Sequence, residues 1–117
     1  MSIKIEKHHN GVVVCYLAGR LTNENTSQEG ENAIVNQLEA GAIMLVVDLT
    51  EVDYMNSSGL NWLLRMFTKV RNKGGDLVIA SPSGAVTKIL EVSKLNSIFS
   101  IYADVNTAIN HFNAHEA

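Results

Sequence analysis

Few residues of this chain have the types and spacing for chemistry, and most of those arrangements fail on inspection. The four histidines come as two pairs. His8 and His9 are adjacent, so in a strand they point to opposite faces and do not share one ion. His111 and His115 stand at i and i+4, a valid ligand spacing on a helix, but the sequence sets no acidic or cysteine partner beside them. The reading is solvated histidines, with no metal site and no cofactor. A serine nucleophile of the elbow type needs Gly-x-Ser-x-Gly between a strand and a helix. The nearest match here is Met55-Asn56-Ser57-Ser58-Gly59, which lacks the first glycine. The loop SPSG at 81–84 has neither a Walker lysine nor repeated glycines, and reads as a turn into a helix.

What remains is YMNSSGL, residues 54–60. Asn and Ser are preferred helix N-caps, so one of these side chains is expected to accept a first-turn N–H. The hydroxyls also sit where an apolar run gives way to an amphipathic pattern, a strand-to-helix corner. A phosphate added there brings about −1.5 to −2 charges at neutral pH. Next to a helix N-terminus that charge is favourable; at a docking surface facing acidic or apolar groups it is costly. One modification could therefore break a complex and leave the fold intact.

The elements that must hold this corner are legible as periods. Residues 2–7 alternate Ile3 and Ile5 with polar neighbours and predict a strand; HNG at 9–11 predicts a turn, and 12–18 a second strand. The nearly continuous apolar run 43–49 predicts a central strand covered on both faces, followed by a connector TEVDYM at 50–55. Further strands are expected at 77–80 and 98–102. Leu60, Leu63, Leu64, Phe67 and Val70 mark a helix over 57–72, closed by basic residues and KGG. Shorter helices are expected at 84–94, on Val86, Ile89, Leu90 and Val92, and at 104–114, capped by Asp104. A helix with an irregular start is expected at 25–40, where NTSQEGEN is polar and carries Gly30. The order ββαβαβαβα predicts an α/β fold with a mixed sheet of four to five strands and about four helices.

The bulk numbers narrow the function class. With 117 residues, 46% hydrophobic and 18% charged, the chain suits one globular domain, residues 1–117. The net charge is −3 and the nine Lys and Arg are scattered, which argues against nucleic acid. No apolar run approaches the roughly 18 residues of a spanning helix, so no membrane segment is expected. The single Cys15 lies inside VVVCYL and reads as a small buried hydrophobe, in keeping with a reducing compartment. The expectation is a cytoplasmic protein.

The element order and DLTEVDYMNSSGL at 48–60 resemble the anti-sigma-factor antagonists, small single-domain members of the STAS class. The similarity covers nearly the whole chain. LAGRLT at 17–22 resembles the family's G-x-[LI]-[DT] element, KGGDLVIAS at 73–81 the strand after its long helix, and 86–109 its closing helix, strand and helix. The resemblance implies a STAS-like domain without catalysis of its own. Its partner would be an anti-sigma factor that is also a serine kinase of the histidine-kinase-like ATPase fold. Phosphorylation of the first hydroxyl in D-S-[ST]-G-L would release that partner, and a metal-dependent serine phosphatase would restore binding. On this sequence the acceptor is Ser57, beside Ser58, with Gly59 and Leu60 completing the motif and Asn56 standing where the family usually has Asp. Thr22 and Asn23 fall on the expected docking rim. Met55, Trp62 and Met66 lie near the corner and are candidate interface residues, since Met and Trp are enriched at docking surfaces. STAS domains also occur in sensors and transporters, so the other reading is a non-switching scaffold or ligand-binding module.

Overall fold

A computed structural model describes residues 2–8, 10–22 and 28–116 of the chain. The elements run β1 (Ser2–Lys7), β2 (Val12–Leu21), α1 (Gln28–Glu39), β3 (Met44–Met55), α2 (Ser57–Asn72), β4 (Asp76–Ala80), α3 (Gly84–Val92), a 3-10 turn (Leu95–Ser97), β5 (Ile101–Tyr102) and α4 (Val105–Glu116). The five strands lie in the order β1-β2-β3-β4-β5; β1 is antiparallel to β2 and the remaining pairs are parallel. This is the mixed α/β sheet with four helices that the periods predict.

Strand order explains where the helices go. Each parallel crossover steps one place in the same direction, and a constant handedness then puts α1, α2 and α3 on one face. The packing follows. Ile34 and Leu38 of α1, Leu63, Met66 and Val70 of α2, and Val86 and Leu90 of α3 pack with Val13, Cys15, Leu45, Val47 and Leu49 of the strands. The other face carries α4 alone, whose Ala108 and Phe112 meet Val12, Val14, Val46, Val78 and Ala80. Central strands buried on both faces must be apolar at consecutive positions, which is why 12–15 and 45–47 read as unbroken runs. Cys15 is among them, and burial pushes its thiol up to about 12, so it stays protonated and inert.

Three expectations need correction. Residues 50–55 are strand, not connector: β3 continues to Met55. Two register shifts against β2 put an extra β3 residue between Tyr16 and Ala18 and another between Gly19 and Arg20. Burial therefore falls on Leu49, Val52 and Met55, every third residue, and the period-2 signal disappears. The strand expected at 98–102 is shorter. Lys94 takes a left-handed φ of 64°, residues 95–97 form the 3-10 turn, and only Ile101 and Tyr102 pair with β4. Phe99 serves packing instead, edge-on to Phe67 at 5.1 Å between centroids. Finally, Val92 does not face inward on α3; it is 75% exposed. Helix α1 begins at Gln28 and runs through Gly30, so residues 28–32 of the polar stretch expected to be irregular are helical, while residues 25–27 lie outside the described residues.

Candidate functional site

The corner at residues 55–60 is built by β2, β3 and α2 together. Met55 pairs with Leu21 at the ends of the two parallel strands, and the Asn56 N–H reaches the Leu21 carbonyl at 3.4 Å. Asn56 then leaves the helix path with extended angles, φ −116° and ψ −175°, and its Oδ1 accepts the Gly59 N–H at 3.0 Å. Its carbonyl accepts the Leu60 N–H at 2.9 Å, the first rung of α2. Asn56 is thus the N-cap, as the residue types predicted. Removing this side chain in Asn56→Ala is expected to cost about 1 kcal/mol, read as a lower urea midpoint with unchanged slope. Gly59 sits against β2 so closely that a Cβ there would lie 1.9 Å from the Leu21 carbonyl oxygen. The glycine of the motif is therefore a packing requirement.

With Asn56 doing the capping, neither serine hydroxyl is needed for the helix. Ser57 is the first residue of α2 and is exposed; Ser58 is half-buried. The first turn carries no acidic residue, so the positive end of the helix dipole is not offset by a side chain of the turn itself. The N–H groups of Ser57 and Ser58 precede the first helical rung and lie outside the ladder. Ser57 also stands on the lip of a groove of about 260 Å³ between α2 and the α3 to 3-10 segment, lined by Leu60, Leu64, Ile89, Ser93 and Leu95 among others. On the same segment, Val92 and Ile98 are exposed apolar side chains. The inward pattern assigned to α3 concealed Val92, because Val fits either face of so short a helix.

The proposed interface residues mostly fall elsewhere. Met55 is 6% exposed, Trp62 1% and Met66 0%, all within the core cluster under α2. They are core residues because α2 lies on a sheet flanked by α1 and α3, so a wide arc of its surface is covered. Thr22 is also buried, at 7%. Asn23 lies outside the described residues, as do His9 and the side chain of His115. His111 packs on the sheet, its Nδ1 2.6 Å from the Tyr102 hydroxyl. Among the described residues no three His, Cys, Asp or Glu side chains converge on a metal position. No helix among them is long and apolar enough to cross a membrane.

Comparison with known proteins agrees with this architecture. Residues 4–108 match the model of the STAS domain. The chain is 31% identical over 107 residues to an anti-sigma F factor antagonist of Paenibacillus polymyxa, covering 87% of this chain and 88% of that protein. The anti-sigma factor antagonist SpoIIAA in its unphosphorylated form superposes with a TM-score of 0.81 at 21% identity, covering 97% of both chains. The Bacillus cell fate determinant SpoIIAA in its phosphorylated form gives a TM-score of 0.74 at 20% identity over 95% of this chain and 99% of that one. With the family match running from within β1 through β5 to the first turn of α4, the chain belongs to the STAS domain family.

Proposed function

We propose that the chain is an anti-sigma-factor antagonist working in a partner switch. In the unphosphorylated form it binds an anti-sigma factor that is also a serine kinase of the histidine-kinase-like ATPase fold. Phosphorylation of Ser57 releases that partner, and a metal-dependent serine phosphatase resets the cycle. The domain is a binding module and a substrate; the transferred phosphoryl group comes from ATP held by the kinase.

The observation that carries this reading is the division of labour at the corner. Asn56 caps α2, so Ser57 presents an exposed hydroxyl that the fold does not use. A phosphate on it would meet the helix N-terminus, which stabilises the modified chain by about 0.3–1 kcal/mol. The same charge would stand on the lip of the groove lined by Leu60, Leu64, Ile89 and Leu95, where an apolar partner surface would have to desolvate it. Val92 and Ile98 take the place of Met55, Trp62 and Met66 as apolar contributors to the docking surface. Asn56 caps as Asp would but lacks its charge, so the kinase would meet one negative charge fewer beside the acceptor.

The test is to incubate the chain with a partner kinase and ATP, map the phosphate by mass spectrometry, and measure binding before and after. Phosphate on Ser57 and at least a hundredfold loss of affinity are expected, with Ser57→Ala binding normally and Ser57→Asp weakly. Phosphate at other positions only, or unchanged binding in the phosphorylated chain, overturns the reading in favour of a non-switching module.

A further inference from the structure

The sheet has two free edges, and they differ. β5 is two residues long, whereas β1 pairs with β2 over six consecutive residues without a register shift. In an antiparallel ladder, half of an edge strand's N–H and C=O groups point away from the sheet. β2 is the only neighbour of β1 among the described strands, and no described residue outside the ladder makes a backbone hydrogen bond to Ser2–Lys7. Ile3 and Ile5 show the consequence. Both pack on the core beneath α1, yet both stay half-buried because their strand is flanked on one side only.

Natural edges are blunted by bulges, prolines or lysines that no second strand can match. β1 has no bulge and no proline, and between its two lysines it carries a carboxylate. Alternation puts Ile3, Ile5 and Lys7 on the α1 side and Lys4 and Glu6 on the other. Neither Lys4 nor Lys7 makes an ion pair among the described residues. Glu6 accepts the Tyr16 hydroxyl at 3.4 Å and stands 2.9 Å from His8 Nε2, so a phenol and an imidazole adjoin it but no lysine or arginine does.

This pattern is complementary to itself. Two copies of β1 related by a two-fold axis perpendicular to the sheet run antiparallel, and each residue then meets one from the same face. The axis must therefore fall at a residue. Centred on Lys4 it sets Lys4 against Lys4, and centred on Glu6 it sets Glu6 against Glu6; like charges directly opposite are destabilising. Centred on Ile3 it leaves Glu6 and Lys7 beyond the seam. Centred on Ile5 it sets Ile5 against Ile5, each Lys4 against Glu6 of the other copy, and the Lys7 stem beside Ile3. We propose that a second copy of this chain docks on β1 in this last register, joining the two sheets edge to edge. The seam is short, so the dimer is reversible rather than obligate. The Ser57 corner is built from β2, β3 and α2 and its groove from α2 and the α3 segment, so the inference does not rest on the partner switch and leaves both switch sites open.

The test is sedimentation equilibrium of the intact chain at low ionic strength, at concentrations up to about 1 mM. A monomer–dimer equilibrium with a submillimolar Kd is expected, weakening as salt is added. Lys4→Glu and Glu6→Lys each turn two attractive pairs into two repulsive ones and should weaken the dimer about tenfold. Lys4→Glu combined with Glu6→Lys rebuilds both pairs with the charges exchanged and should restore the parent affinity to within about threefold. Both positions are exposed, and circular dichroism melts check that each variant folds. A monomer at every concentration overturns the proposal, as does a double variant no tighter than the single ones. A dimer indifferent to both single exchanges but lost in Val92→Asp overturns it in favour of the exposed apolar surface on α3. Assembly beyond two copies also overturns it, since a two-fold seam closes on itself.

Discussion

Alanine at position 59 is expected to lower the thermal midpoint by roughly 10 °C or more, although alanine is the better helix former. Elsewhere in a helix the exchange of glycine for alanine gains about 1 kcal/mol. At Gly59 the new methyl would stand 1.9 Å from the Leu21 carbonyl oxygen and 2.7 Å from its carbon. Both are backbone atoms, so no rotamer change relieves the overlap. The strand end must retreat from the helix, which breaks the Asn56 N–H contact with Leu21 and loosens the pairing of Leu21 with Met55. Overpacking of this kind costs about 1–3 kcal/mol when side chains yield, and more when only backbone is available to move. Gly84, in the first turn of α3, is the internal control: a Cβ there meets nothing within 4 Å. Gly84→Ala should therefore be neutral or stabilising by up to about 1 kcal/mol. Thermal melts of the two variants by circular dichroism separate the effects. A Gly59→Ala chain as stable as the parent would show that α2 does not approach β2 this closely.

The same corner marks where the sequence is informative. The Asn56 cap and the extent of α2 are readable because capping chemistry and a 3.6-residue period are local properties, fixed within a few residues of each other. Ser57, by contrast, is singled out only by the resemblance to the family motif. The close approach of Gly59 to Leu21 is not local; it joins residues on elements separated by α1 and β3, and no pattern inside either element announces it. The end of β3 fails for a related reason. Two bulges convert alternation into burial at every third residue, so Thr50 to Met55 resembles a polar connector although it is hydrogen-bonded strand. Asp48 is the extreme case. Within the run IMLVVDL it looks like the polar end of a strand, but it is 4% exposed and lies on the sheet face that carries α4, an element more than fifty residues later. Residue type reports what a position tolerates; the layer that covers it is set by topology.

Trp62 extends that point to the surface of the molecule. Tryptophan near a docking corner suggests an anchor for a partner, but burial of all but 1% of its surface makes it a stability residue. Trp62→Ala is expected to cost about 3–5 kcal/mol, the range for removing a large aromatic side chain from a core. Against a total of about 5–15 kcal/mol for a typical domain, that leaves a marginal fold. Trp62→Phe distinguishes lost volume from lost polarity. The indole Nε1–H has no hydrogen-bond partner among the described residues, so phenylalanine removes an unsatisfied buried donor worth about 1–3 kcal/mol while leaving a smaller cavity. The two terms oppose each other, and the net change should stay within about 1.5 kcal/mol. Urea titration measures both variants. Binding supplies the decisive comparison: at a temperature where each variant is folded, both should bind the partner with the parent affinity, whereas Val92→Asp, at a 75% exposed position, should bind weakly at unchanged stability. A Trp62→Phe chain that folds normally and loses the partner would return Trp62 to the interface.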